Sequence, residues 1–336
     1  MTTSFVLLED GTRFDGEAVA APGPVTGEVV FNTAMSGYQE AVTDPSYAGQ
    51  IITFTYPHVG NYGASGEAME SDRAHARAVI MRAAVNAEAA AGAERGWLDW
   101  LEDCGVPAIT GVDTRALVRH LRDRGAMRGG IFAAEVPEAE AMERVRAEPP
   151  MAGQDLARSV SPDRMVEVGD GDGPRIAALD TGIKLSIVRN LVARGARVAL
   201  HPCTAGPDEL LAGDPDAIFL ANGPGDPAAL DYVVETVREL VGLDALAAVG
   251  AEDGEPVVLR RDLDAPGLEV LDRVVGAAVP EWQLERLQSD GSAQKLMAEA
   301  DAPHRPAADQ RAHGLDHVGE RGGIAGAVGE KDRVGV

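Results

Sequence analysis

The sequence predicts a two-part α/β chain, a mixed α/β domain followed by a domain built on a parallel sheet. Three observations carry this prediction. Between residues 175 and 242, short apolar runs alternate with segments of helical periodicity, the pattern of repeated β-α units. Residues 1–155 mix β-branched runs and helical stretches without that strict alternation. Between them lies a polar, turn-rich linker, residues 156–174, ending in Gly169-Asp170-Gly171-Asp172-Gly173-Pro174.

The elements follow in order. Phe5 to Leu8 and Thr12 to Phe14 read as a hairpin, because Asp10-Gly11 suits the positive φ angles of its turn. Glu28 to Phe31 and Ile51 to Tyr56 are strands by their β-branched content. Asp72 to Ala90 reads as a helix from its Ala and Arg content. Thr114 to Arg124 places Leu117, Val118 and Leu121 on one helical face and stops at Gly125. After the linker come a strand at Ile176 to Leu179 and a helix carrying Ile183, Ile187 and Leu191 that stops at Gly195. Val198 to Leu200 and Ile218 to Leu220 are the next strands. Leu230, Val233, Val237 and Leu240 then recur at helical spacing.

Bulk properties narrow the function. At 336 residues the chain is long enough for two cores. A net charge of −24 argues against a nucleic-acid partner, since phosphate binding needs clustered Lys and Arg. No apolar run approaches the roughly 18 residues of a membrane span. Met1-Thr2-Thr3-Ser4-Phe5 shows no basic region leading into an apolar core. Two cysteines, Cys104 and Cys203, make no framework of bridges. These features predict a cytoplasmic protein.

The motif with chemical content is Asn222-Gly223-Pro224-Gly225-Asp226-Pro227, which follows the apolar stretch 216–220. Its glycines and prolines fix a tight turn and leave main-chain N–H groups open to a ligand. The carboxyl end of a strand is where α/β sheets bind ligands. Taken alone, such a run is more often a structural turn.

Longer stretches then point to a family. They are Gly27-Glu28-Val29-Val30-Phe31-Asn32-Thr33, Gly37-Tyr38-Gln39-Glu40, Thr43-Asp44-Pro45-Ser46-Tyr47 and Tyr56-Pro57-His58-Val59-Gly60-Asn61-Tyr62-Gly63. Further on come Gly105 to Arg115, Gly125 to Gly130 and the turn at Asn222. In this order they resemble the small, glutamine-hydrolysing subunit of carbamoyl phosphate synthetase over residues 1 to about 242. The resemblance implies an N-terminal domain peculiar to that subunit. It also implies a flavodoxin-like class I glutamine amidotransferase domain with a parallel sheet, truncated near residue 242. By resemblance Ser46, Gly223 and Gly225 match glutamine-binding positions, with the Gly223 amide donating to the oxyanion. The implied partners are L-glutamine and the large subunit, which would use ATP and magnesium; no cofactor is expected in this chain.

One departure bears on activity. The family's nucleophile sits in a Gly-Ile-Cys-Leu-Gly-His-Gln segment after the next strand, where this chain reads Leu243-Asp244-Ala245-Leu246-Ala247-Ala248-Val249-Gly250. No cysteine follows Cys203, and no His-x-Glu pair occurs. Cys203 lies in His201-Pro202-Cys203-Thr204, outside any glycine-flanked elbow, so it reads as passive, as does Cys104. His58 and His120 read as packing or surface residues, and Arg115 and Arg128 carry no site. No catalytic residue is therefore expected.

Residues 243–336 read as an atypical, poorly ordered extension without clear strands, leaving a sheet edge bare. A short helix around Leu284, Leu287 and Leu296 is the exception. A coding frame lost near residue 243 would account for this texture. The alternatives to a working glutamine subunit are a non-catalytic partner of the large subunit and an inactive product.

Overall fold

The computed structural model describes residues 2–21, 23–87, 92–241, 247–250 and 257–260. The first domain holds nine strands: β1 (Thr2–Leu8), β2 (Arg13–Ala18), β3 (Val25–Asn32), β4 (Gln50–Phe54), β5 (His58–Val59), β6 (Ala78–Ile80), β7 (Ala83–Ala84), β8 (Ala108–Thr110) and β9 (Met127–Ala133). Seven of them close a barrel in the order β1-β2-β8-β6-β4-β3-β9, with β9 returning to β1. Its helices are α1 (Tyr38–Thr43), α2 (Trp97–Asp103), α3 (Thr114–Arg124) and α4 (Glu138–Ala147).

The hairpin forms as expected. Gly11 has φ 88°, its N–H donates to the Leu8 carbonyl at 2.9 Å, and Val6 pairs with Phe14. The α3 helix also starts and stops where its residues dictate. The Asp113 carboxylate accepts from Ala116 N–H at 3.0 Å, and Gly125 ends it with φ 91°. Inside the barrel, Val6, Leu8, Val29, Ile51, Ile80, Ile109, Leu117 and Leu121 form one buried cluster. Ile52, Val79, Met81, Trp97 and Leu101 form another where α1 and α2 cover the wall.

The helix expected over Asp72 to Ala90 is not there; the described part, 72–87, carries β6 and β7 instead. Ala78, Val79, Ile80 and Met81 are all fully buried, with β6 parallel between β4 and β8. A run apolar on every side suits a strand covered on both faces, and its burial together with the β-branched Val79 and Ile80 overrides the helix propensity of the Ala- and Arg-rich stretch around it.

The second domain contains α5 (Ala157–Val160), β10 (Val166–Val168), β11 (Arg175–Asp180), α6 (Leu185–Ala193), β12 (Arg197–Pro202), α7 (Pro207–Leu211), β13 (Ala217–Leu220) and α8 (Asp231–Val241). Two further strands follow, β14 (Ala247–Gly250) and β15 (Val257–Arg260). The sheet order is β10-β12-β11-β13-β15-β14. The central three strands are parallel, as the β-α alternation predicts; β10, inside the stretch read as linker, pairs antiparallel with β12.

Alternation along β11 separates the two faces. Ile176 and Ala178 pack with Val188, Leu191, Val198 and Phe219 beneath α6, while Ala177 and Leu179 pack with Leu210, Ile218 and Leu240 beneath α7 and α8. Burying both faces supplies the stability, at about 25 cal/mol per Å². The expectation that strands stop after residue 242 is corrected. The β15 strand runs antiparallel along β13 and so covers that edge, and β14 pairs with β15. The helix proposed near Leu284 and the tail after 301 lie outside the described residues.

Candidate functional site

The strand order places a crevice. From β11 the chain crosses to β12 on one side, then returns to β13 on the other, so the order reverses between β11 and β13. Ligands in open α/β sheets bind at such a reversal, beyond the carboxyl ends of the strands. Two backbone turns meet there, residues 181–184 after β11 and residues 222–227 after β13.

Contacts lock these turns together. The Thr181 hydroxyl donates to the Ala221 carbonyl at 2.6 Å. A Cβ added to Gly182 would lie 2.9 Å from Pro224 Cδ and 3.0 Å from Gly223 Cα. A Cβ on Gly223 would run into the Thr181 carbonyl. Gly225 has φ 87°, and a Cβ there would sit 2.6 Å from the Gln154 carbonyl oxygen. Glycine is required at both positions by close backbone approach, and at Gly225 by the left-handed backbone as well.

Carboxylates brace both turns. Asp180 Oδ1 accepts from Gly182 and Ile183 N–H, each at 2.8 Å. Burial raises its carboxyl above the ordinary range, against the lowering effect of those two hydrogen bonds. Asp226 accepts from Gly153 N–H at 2.8 Å and Ala228 N–H at 2.9 Å, bonds that hold its carboxyl below the ordinary range.

Ser46 arrives from the first domain, in a single 3₁₀ turn, Pro45–Tyr47, following Asp44. Asp44 Oδ1 accepts from Ser46 N–H at 2.9 Å, and Asp44 Oδ2 lies 3.4 Å from Lys184 Nζ. The Ser46 turn is therefore tied to the loop that packs on Gly223. Sequence reading named Ser46, Gly223 and Gly225 but missed Asp44, Asp180, Gly182 and Lys184. The Asp-Pro start of a turn and the Asp180-Thr181-Gly182 strand end were signals for the first three; nothing local marks Lys184.

The remaining candidates sit elsewhere. Cys203 is buried, with its sulfur 3.6 Å from the Tyr232 hydroxyl, which donates to Asp155 Oδ1 at 3.1 Å. Burial, then its neighbours Cys203 and Asp155, raises the Tyr232 hydroxyl. Burial also pushes the Cys104 thiol up, reinforced by Asp103. His120 Nε2 lies 2.7 Å from Asp10 Oδ2, and Arg128 pairs with Glu9 at 2.6 Å, both on the barrel. Among the described residues, no group of three His, Cys, Asp or Glu side chains is arranged to hold a metal. No described helix is long and apolar enough to cross a membrane.

Two family profiles match the chain. "Carbamoyl-phosphate synthase small chain, CPSase domain" covers residues 6–131, and "Glutamine amidotransferase class-I" covers residues 177–246. The carbamoyl phosphate synthase small chain of Thioalkalivibrio sulfidiphilus is 42% identical over 254 residues, spanning 71% of this chain and 67% of its own. The chain belongs to the carbamoyl phosphate synthase small chain family. The small chain of Pseudomonas aeruginosa is 43% identical over 259 residues, and that of Rhodopirellula baltica 39% over 258. The match spans about two thirds of these relatives' length, 68% and 66% respectively. The first profile covers most of the barrel, and the second covers the region from β11 to α8, leaving β10, β14 and β15 of the second sheet outside it.

Proposed function

We propose that this chain acts as the small subunit of carbamoyl phosphate synthetase, holding L-glutamine against Ser46, Gly223 and Gly225 and docking on the large subunit. One observation carries the reading. Two glycine-dependent turns close on each other at the sheet's reversal point, with the Ser46 turn tied alongside through Asp44 and Lys184. In this reading the Gly223 amide faces the glutamine side-chain amide, where a fixed donor costs no reorganisation. The large subunit would consume ATP with magnesium and build carbamoyl phosphate for pyrimidine or arginine synthesis in the cytoplasm.

Hydrolysis is the part the chain is not equipped to perform. No thiol follows the turn in this sequence, and Cys203 is buried against Tyr232. We therefore assign a glutamine-binding subunit with little or no glutaminase activity, its large subunit running on free ammonia. The test reconstitutes the pair and compares carbamoyl phosphate formation on ammonium and on glutamine, with glutamine binding read by calorimetry. Synthesis on ammonium alone, with glutamine bound and Ser46→Ala weakening it, is the expected result. Ammonia release from glutamine at the rate of a thiol-bearing small chain would refute it.

A further inference from the structure

Residues 70–73 of the first domain touch both walls of the glycine turn. One wall is the loop from Thr181 to Lys184, which runs into α6. There the Glu70 carbonyl accepts from Leu185 N–H at 2.8 Å, and its carboxylate Oε2 accepts from Ser186 N–H at 2.9 Å. Glu70 is 9% exposed, so a first-domain carboxylate serves as the N-terminal cap of a second-domain helix. The other wall is residues 153–160. Gln154 accepts from Asp226 N–H at 3.1 Å, and Val160 Cγ2 lies 3.3 Å from the position of a Cβ on Gly182. Arg73 Nη2 donates to the Ser159 carbonyl in that wall at 2.6 Å.

The same segment is fixed to the Ser46 turn. Thr43 Oγ1 accepts from Glu70 N–H at 2.9 Å, and Ser71 Oγ donates to the Thr43 carbonyl at 2.8 Å. Thr43 adjoins Asp44, the residue that holds Ser46 N–H and Lys184. Three pieces from distant parts of the chain are thus registered by Glu70, Ser71 and Arg73. We infer that Glu70 and Arg73 are positioning residues for the glutamine pocket, setting Ser46 against the Gly223–Gly225 backbone. The inference rests on the proposed function for the identity of the ligand, and on the geometry alone for the coupling.

The test compares Glu70→Ala, Glu70→Gln and Arg73→Ala in the full chain. Amide hydrogen exchange is followed at residues 183–188 and at Asp226, whose N–H is held by the Gln154 carbonyl, with glutamine affinity measured alongside. Loss of the Glu70 acceptor should raise exchange about tenfold, the scale of a hydrogen bond to a charged group. The rise should appear at Asp226 in the turn as well as at α6, while the barrel strands stay unchanged. Glutamine binding should weaken by a similar factor, and Glu70→Gln, which keeps an acceptor oxygen, should restore both readouts. A rise confined to Leu185 and Ser186, with the turn and the affinity untouched, would reduce Glu70 to a local cap and overturn the inference. If the parent protein binds no glutamine, the proposed function falls, and exchange at the turn still decides the coupling.

Discussion

Replacing Gly225 by alanine tests whether the turn's backbone is as closely held as its surroundings indicate. With φ at 87°, an alanine must either occupy the left-handed region or rebuild the turn. Remaining there costs about 1–2 kcal/mol. The new Cβ would stand 2.6 Å from the Gln154 carbonyl oxygen, 3.2 Å from Leu156 N and 3.3 Å from Leu156 Cβ. Real Cβ atoms do not approach closer than 3.0 Å, so one backbone must retreat from the other. That retreat pulls on the 3.1 Å bond from Asp226 N–H to Gln154 and the 2.8 Å bond from Gly153 N–H to Asp226. Overpacking of this kind costs about 1–3 kcal/mol, for a combined loss of about 2–5 kcal/mol. At about 2–4 °C per kcal/mol, the figure for domains of about 150–250 residues, the melting temperature should fall by about 4–20 °C. Thermal unfolding followed by circular dichroism measures it, with glutamine binding lost in parallel. A Gly225→Ala protein that melts with the parent and binds glutamine equally well would refute the close approach.

Other outcomes follow from the same coordinates. The folded-state pKa of Asp180 is raised by burial, so the stability lent by its neutral form is complete below the unfolded value of 3.8 and is lost as pH rises through the folded value. Asp180→Asn should therefore gain on the parent in urea unfolding as pH climbs above 3.8, and a gap independent of pH would contradict the burial argument. A thiol-specific reagent should react with Cys104 in the folded protein and with both cysteines only in denaturant, because Cys203 is buried. Slow reaction at neutral pH is expected even at Cys104, whose thiol is pushed up by burial and Asp103. Lys184→Ala removes a half-exposed lysine from the largely buried Asp44 and should cost about 1 kcal/mol in unfolding free energy, while disturbing glutamine binding more than stability.

What the sequence reveals divides along the range of the interactions. Elements decided within a few residues were legible: the Asp10-Gly11 hairpin, the Asp113-capped α3 and the β11-α6-β12 alternation all formed as read. The short β6 was not, because its β-branched Val79 and Ile80 sit within an Ala- and Arg-rich stretch and its place is set by β4 and β8, residues 50–54 and 108–110. The same holds for β15, which owes its place to pairing with β13. At the site, Gly223 and Gly225 announced themselves by composition, while Asp44, marked only by the proline after it, was missed. Glu70 and Arg73 carried no local mark, since their partners lie 116 and 86 residues away.

The distribution of the site along the chain bears on what the protein can retain without a nucleophile. Every group assigned to glutamine binding lies before residue 226, and each is held by bonds made among residues 43–226. An oxyanion donor accelerates a reaction only through charge that develops after attack. In the proposed function, with no attacking thiolate, the Gly223 amide would meet only the neutral amide of glutamine and would contribute to ground-state binding alone. Under the proposed function, affinity for glutamine and turnover of glutamine are thus separable properties of this chain. A protein that bound glutamine only when it also hydrolysed it would show that the two had never been separated.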